Sequence, residues 1–291
     1  MPDRDFPALS IVIPVQDEAD SIGSVISSVK AALDCHEGGY EIVAVDDGSA
    51  DNSAQLAEDA GARVISHGLR RGYGAALKTG IKAARGRTIA IIDGDGTYPA
   101  EVIPALARGL ESADMVVGAR VRAGACVPIT RRPAKWLLTK LAGFLSGVKI
   151  PDLNSGLRAF RRDVALPYLR VLPDRFSFTS TITLLMLGDG KSVEYMPIDY
   201  HRRAGKSKIV PSDAFSFLIL IIRTVMFFNP LKFFLPIGLV IFLVGAAKLS
   251  TDYLIYDRLS STSVLLILSA IQIWGLGFLA ELALFLERRR K

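Results

Sequence analysis

The chain has 291 residues, half of them hydrophobic, with a formal charge of +6 at pH 7 and a mean hydropathy of +0.34. That length holds one large domain with a full core plus something smaller, and the long apolar runs gather beyond Ser212, which excludes a uniformly soluble chain. The two cysteines, Cys35 and Cys126, give neither metal-ligand spacing nor a disulfide framework, which fits a reducing compartment.

The first residues, MPDRDFPALS, carry acids and run straight into a strand pattern. They lack the basic and apolar regions of a signal peptide, so the first domain is expected to stay in the cytoplasm. Apolar, β-branched runs at 9–13, 41–45, 63–66 and 88–92 alternate with helical patterns at 20–33, 51–60 and 74–84. This alternation predicts right-handed crossovers and a mostly parallel sheet, and the unbroken apolar run at 89–92 suits a strand buried on both faces. A helix over 99–110, a strand over 114–118, helical stretches near 133–145 and 164–169, and a strand around 192–200 complete an α/β domain over 1–211.

Beyond it, 231–250 carries charges only near its ends, Lys232 and Lys248, and matches the roughly 20 residues that a helix needs to cross a bilayer. A second span covers 263–286. The linker between them holds one basic residue, Arg258, whereas the tail reads ERRRK. A two-helix hairpin therefore puts the tail and the first domain on the same, cytoplasmic, side. The stretch 212–230 is apolar but short and carries Arg223. Counting it as a third span sends ERRRK to the wrong side, so an interfacial amphipathic helix is expected there. For Glu281, inside the second span, snorkelling or pairing with a nearby base is favoured over a functional acid. Gly275 and Gly277 offer small residues for helix association, and with it a homo-oligomer.

In an open parallel sheet, ligands bind outside the carboxyl ends of the strands. Polar residues follow three predicted strands: Pro14-Val15-Gln16-Asp17-Glu18, then Asp46-Asp47-Gly48-Ser49 with Asp51, then Asp93-Gly94-Asp95-Gly96-Thr97. Each alone could be a turn or a cap, and Asp51 reads as a cap. Together, acids at three neighbouring strand ends repel one another unless a cation or donors fill the crevice. Asp93 and Asp95 can aim two carboxylates at one hard divalent cation that takes its remaining ligands from water and a diphosphate. Gly94 and Gly96 let the backbone come close to that ligand. Gly72-Tyr73-Gly74 lacks the position and spacing of a dinucleotide fingerprint and reads as a glycine-eased helix start. The basic clusters at 120–132, 158–162, 202–208 and 288–291 lie beside apolar segments, which favours phosphates or anionic lipid heads. A nucleic-acid role would call for aromatic residues among the bases, and few are there.

The ordered set IPVQDE, VDDGSAD, GYGAALKTG, DGDGTYP, GAR at 118–120, DLNSGLRAF and RRAGKSK resembles the family 2 glycosyltransferases. Within them the chain is most similar to the polyprenyl-phosphate sugar synthases related to dolichol-phosphate mannose synthase. The resemblance covers about two thirds of the chain. It implies a GT-A fold, Rossmann-like, with a nucleotide sugar cradled by Pro14, Gln16, Glu18, Asp46, Asp47 and Gly94, and Mg²⁺ or Mn²⁺ on Asp93 and Asp95. By the same resemblance Arg120, Arg202 and Lys208 hold the donor diphosphate and the lipid phosphate, and Arg131 or Arg132, with Ser155, meets the acceptor phosphate. The chain departs from its relatives at Gln16 and Asp17, where they usually carry an aromatic residue and asparagine, and at Thr97, where they often carry glutamine.

A phosphate monoester is largely dianionic at neutral pH and can attack an anomeric carbon without a protein base. A hydroxyl acceptor needs one, and neither a QxxRW motif nor an acid in FSFTSTITLL supplies it. The expected reaction is an inverting hexose transfer to a polyprenyl phosphate. Transfer to a hydroxyl of a glycolipid or glycan, and a non-catalytic nucleotide-sugar-binding scaffold, are the alternatives. The departure of DGDGT from the pattern common in mannose enzymes favours a UDP-hexose over GDP-mannose.

Overall fold

The computed structural model describes residues 7–36, 38–121, 143, 148–175, 177–201, 230–256 and 260–289. The chain divides into two compact units, the second holding the C-terminal helices. The expected interfacial helix apart from Pro230, the helical stretch near 133–145 apart from Gly143, and the bases Arg131, Arg132, Arg202 and Lys208 lie outside the described residues.

The described residues of the first unit contain seven strands: β1 (Leu9–Val15), β2 (Tyr40–Asp46), β3 (Arg63–Ser66), β4 (Thr88–Ile91), β5 (Met115–Ala119), β6 (Arg158–Arg161) and β7 (Val193–Pro197). They form one sheet of order β3-β2-β1-β4-β6-β5-β7. β6 runs against β4 and β5, and every other pairing is parallel. The helices of this unit are α1 (Ile22–Leu33), α2 (Ser53–Asp59), α3 (Tyr73–Ala83), α4 (Ile103–Arg108), the single turn α5 (Arg162–Ala165) and α6 (Phe178–Gly188).

β1 is buried along its whole length because helices cover both of its faces. On one face α1 presents Ile22, Val25, Ile26, Val29 and Leu33 to the core, an i, i+3, i+4, i+7 stripe in which each side chain contributes about 2 kcal/mol of burial. On the other face α3 lies directly on the sheet: a Cβ added at Gly80 would stand 2.3 Å from Val12 Cγ1.

Strand direction decides what meets at the carboxyl edge. Val15 pairs with Asp46, and Val12 with Ile91, so the turns after β1, β2 and β4 emerge side by side. Because β6 is antiparallel, its first residue, Arg158, pairs with Ile91 and with Val117. The turn before β6 therefore reaches the same edge as the ends of β4 and β5. The chain after β7 comes there too, where the His201 amide donates to the Thr97 carbonyl at 2.9 Å.

The described residues of the second unit form a pair of helices, α7 (Pro230–Tyr256) and α8 (Ser261–Arg289). Gly277 packs on Phe234, Gly238 on Trp274, and Gly245 on Ile267; this reversed order makes an antiparallel hairpin. Both helices are long and apolar enough to cross a membrane, and their most apolar stretches are only 11% and 17% buried, unlike the core helix of a globular domain. Each runs past the span expected from hydropathy, because a helix continues into polar residues once its backbone bonds propagate. Asp252, buried where the two helices join, accepts from Lys248 at 3.3 Å and from the Ser263 hydroxyl at 3.1 Å. Gly277 is used inside the hairpin, whereas the Cβ position of Gly275 faces open space. Among the described residues Glu281 has no ion-pair partner, and its Oε2 is enclosed without a hydrogen bond.

Candidate active site

The turn after β1 is an interlock with the turn after β2. Asp17 sits at φ 50°, in the left-handed region that asparagine and aspartate tolerate better than other side chains. Its amide donates to Ser49 Oγ at 3.0 Å, and its Oδ1 accepts from the Ala50 amide at 2.8 Å. The Glu18 amide donates to Ser53 Oγ at 2.8 Å, and the Ala19 amide to Asp51 at 3.2 Å. Asp51 also accepts from the Ser53 amide and hydroxyl, but it stands one residue before Asn52, the N-cap of α2, and is not itself the cap that its position implied.

Asp46 and Asp47 are both buried. Asp46 accepts from the Ser49 amide and from Ser66 Oγ, each at 3.1 Å. Asp47 accepts from the Arg71 amide at 2.9 Å and the Gly72 amide at 2.7 Å, and lies 2.8 Å from His67 Nδ1. His67 Nε2 is in turn 2.9 Å from Thr79 Oγ1 on α3. Apart from Ser49, the partners of these two carboxylates run from Ser66, the last residue of β3, through the loop that ends at Gly72, so both acids order that loop. The glycines after it serve packing. Gly72 has φ 114°, and a Cβ there would stand 2.5 Å from the Asp174 carbonyl oxygen; one at Gly74 would stand 2.2 Å from that of Pro173. The 173–175 segment thus closes directly over the start of α3, helped by an ion pair between Lys78 and Asp174.

That packing delivers Tyr73 to the site. Its hydroxyl donates to Asp93 Oδ1 at 2.8 Å, and burial, then the charge of Asp93, hold the phenol well above its ordinary pKa, so it remains the donor. Asp95 Oδ1 accepts from Thr97 Oγ1 at 2.6 Å and from the Thr97 amide at 3.2 Å. Thr97, where relatives often carry glutamine, is fully buried and orients Asp95. Gly94 is fixed through its carbonyl, which accepts from Ser21 Oγ at 2.8 Å, and its Cα side faces the Pro14 carbonyl. The half-buried Gln16 reaches toward Asp17 at 3.5 Å.

The 152–157 turn forms the opposite wall. Asp152, 1% exposed at its side chain, takes Arg120 in a fork: Nε at 2.6 Å and Nη2 at 2.9 Å. Burial opposes the charge of Arg120, but Asp152 outweighs it and raises the pKa further. The same guanidinium stacks 5.2 Å from the centre of the Tyr200 ring, and Tyr200 meets Tyr98 edge to face. The Gly156 amide donates to the Tyr98 hydroxyl at 2.7 Å, and a Cβ at Gly156 would stand 2.3 Å from Asp93 Oδ2. Ser155 is fully buried, its hydroxyl donating to the Gly118 carbonyl.

The structure thus gathers Pro14, Gln16, Glu18, Asp46, Asp47, Asp93, Gly94, Asp95, Arg120 and Ser155 at one edge. Tyr73, Tyr98, Asp152 and Gly156 belong with them without a site role expected from the sequence, and so does Thr97, expected only as a departure from the relatives' glutamine. Their positions within GYG, DGDGTYP and DLNSG were the available signal. Among the described residues no three His, Cys, Asp or Glu side chains converge as a ready metal cage. Two adjacent carboxylates, each with one oxygen steered by a hydroxyl, suit a hard cation that draws its other ligands from a diphosphate.

Residues 10–168 match the glycosyl transferase family 2, and residues 229–282 match the GtrB C-terminal hairpin. The chain belongs to glycosyl transferase family 2 and is a glycosyltransferase. It is 30% identical over 213 residues to a dolichyl-phosphate hexose transferase of Haloferax volcanii, covering 72% of this chain and 90% of that one. It is 29% identical over 300 residues to a dodecaprenyl-phosphate galacturonate synthase of Rhizobium johnstonii, covering 94% and 87%. Its fold is GT-A. A crystal structure of glucosyl-3-phosphoglycerate synthase from Mycobacterium tuberculosis, in complex with Mn²⁺, UDP and phosphoglyceric acid, superposes with a TM-score of 0.60 at 21% identity, covering 76% of this chain and 78% of that one.

Proposed function

We propose that this glycosyltransferase moves a hexose from a nucleotide sugar to a polyprenyl phosphate, with inversion, at the cytoplasmic face of a membrane. The observation that carries the reading is the extent of its likeness to the dodecaprenyl-phosphate enzyme, which runs through the catalytic domain and the hairpin alike. An acceptor with an apolar tail stays in the bilayer, so an enzyme for it needs its active site at headgroup level. The hairpin and the 212–230 segment are read as that attachment, with 1–211 as the catalytic domain and spans at 231–250 and 263–286.

Asp93 and Asp95 would hold Mg²⁺ or Mn²⁺. Bound there, the ion supplies neutralisation of the charge that develops on the departing nucleoside diphosphate. Tyr73 and Thr97 set the direction of the two carboxylates. Pro14, Gln16 and Glu18 wall the nucleotide, and Asp46 and Asp47 act through the loop that they order. Arg120 sits beside the diphosphate with its fork fixed by Asp152, while Arg202, Lys208 and Arg131 or Arg132 orient donor and acceptor phosphates. α6 carries no acid in FTSTITLLMLG, in keeping with an acceptor phosphate that serves as its own nucleophile. A UDP-hexose is the proposed donor over GDP-mannose.

The test offers purified protein UDP-glucose, UDP-N-acetylglucosamine and GDP-mannose in turn, with polyprenyl phosphate and Mg²⁺ or Mn²⁺. The readout is lipid-linked sugar by mass and its anomeric configuration. Turnover that requires the lipid phosphate and disappears in Asp95→Ala supports the reading. Transfer to a glycolipid hydroxyl in its place, or binding without transfer, would overturn it.

A further inference from the structure

Among the described residues Arg158 is the largest fully buried side chain. Among the described residues no carboxylate lies within ion-pair distance of its guanidinium. Nη1 donates to the Thr179 carbonyl at 2.7 Å and to Thr183 Oγ1 at 2.9 Å, Nη2 donates to the Ser155 carbonyl, and Nε is enclosed without a partner. A buried cation with no described carboxylate in direct contact is costly, and burial pulls its pKa below that of an ordinary arginine, although the charge of Asp152 opposes that shift. A methionine or leucine would fill the same volume without that cost. What neither can do is bind two elements at once. The planar fork spans from α6, at Thr179 and Thr183, to the turn before β6, at Ser155.

That turn bears on the site at three points already described: Asp152 orients Arg120, the Gly156 amide meets the Tyr98 hydroxyl, and the Gly156 backbone abuts the Asp93 carboxylate. We propose that Arg158 is a positioning residue for the site: by clamping the Ser155 carbonyl to α6 it holds the 152–157 turn as the rigid wall that aims Asp93 and Arg120. The effect on Asp93 rests on the reading of that residue as a cation ligand. The effect on the turn does not.

The experiment uses the full chain in detergent with Arg158→Met, Arg158→Lys and Thr183→Val. It measures amide hydrogen exchange, Mn²⁺ affinity in the presence of UDP, and thermal unfolding. In Arg158→Met, exchange over 152–157 is expected to rise, and Mn²⁺ affinity to fall, by about tenfold, the scale of a lost charge-assisted hydrogen bond, with β1 and β2 protected as in the parent. Arg158→Lys, which keeps a donor but not the fork, should lie between, and Thr183→Val, which removes one acceptor on α6 only, should keep the parent's Mn²⁺ affinity. Unchanged exchange in the turn overturns the proposal, as does a rise spread evenly over the domain, which is the signature of an ordinary core residue. If Arg158→Met does not fold, Arg158→Lys decides by the same two readings. If the parent binds no Mn²⁺, the cation reading fails, and local exchange alone still supports or overturns the clamp.

Discussion

Tyr73 and Asp93 stand twenty positions apart in sequence, and the hydroxyl of one donates to the carboxylate of the other at 2.8 Å. The bond fixes one oxygen of the first acid in DGDG. Removing the hydroxyl in Tyr73→Phe keeps the ring and its packing. A hydrogen bond to a charged group contributes about 1.5–3 kcal/mol, so kcat/KM is expected to fall by roughly ten- to a hundredfold. The Mn²⁺ concentration for half-maximal rate should rise, with little change in melting temperature. An unchanged metal requirement would show that Tyr73 does not aim Asp93.

Thr97 does for Asp95 what Tyr73 does for Asp93, through a 2.6 Å bond from a fully buried hydroxyl. Thr97→Val has nearly the same shape but cannot donate. It should lower kcat about tenfold, whereas Thr97→Ser, which retains the hydroxyl, should recover most of that loss. Steady-state rates for the pair separate the hydroxyl from the packing.

Gly156 has no room for a methyl group. Its Cβ would lie 2.3 Å from Asp93 Oδ2 and 2.7 Å from Cγ, well inside contact distance, and that carboxylate is tethered by Tyr73. In Gly156→Ala the carboxylate or the turn must move. An acid displaced by about 1 Å costs on the order of a hundredfold in rate, and the variant should retain a cooperative melt. Near-parental activity would mean that the turn yields easily, and it would weigh against a rigid wall there.

Much of this was legible beforehand because strand and helix periods differ and because parallel strands must present their carboxyl ends together. The unbroken apolar run of β1 and the stripe on α1 each had one sensible reading. β6 was not legible: RAFR is four residues flanked by arginine at both ends, and its first arginine is buried only because α6 brings acceptors to it. α6 itself, FTSTITLLMLG, is rich in β-branched residues and buried almost all round, so its pattern shows no amphipathic stripe. Tertiary contact overrides propensity there. The roles of Tyr73, Asp152 and Gly156 depend on which turns meet across the sheet, and a linear motif does not display that.

Glu41, on β2, accepts from Ser10 Oγ and the Arg85 amide, each at 2.6 Å, and from Arg63 at 2.9 Å. Burial alone would raise its pKa, but these donors outweigh it and hold the carboxyl below its ordinary value near 4.5. A depressed folded-state pKa means that the stabilisation is fully present above the unfolded value and is lost as pH falls through the folded one. The melting temperature of the parent should therefore drop as pH falls below about 4.5, and Glu41→Gln should be less stable at pH 7 with a shallower acid limb. Parallel acid limbs in the two proteins would assign the pH dependence to other carboxylates such as Asp114.

The hairpin makes its own demand on a glycine. At Gly238 an added Cβ would stand 2.3 Å from Trp274 Nε1, and that indole donates to the Leu235 carbonyl at 3.2 Å, one turn away on α7. Close backbone approach between membrane helices comes from small residues at the crossing, where lipid offers no hydrophobic drive to hold them together. Gly238→Val therefore forces the helices apart and breaks the indole bond together with the packing. The expected result is faster proteolysis of the detergent-solubilised protein within 230–289 and a red-shifted Trp274 emission, with nucleotide binding by the first unit unchanged. Trp274→Phe should lose the bond but keep the approach, and its hairpin should resist the protease nearly as well as the parent. If both variants fail equally, the indole bond holds the pair; if Gly238→Val alone fails, the glycine does.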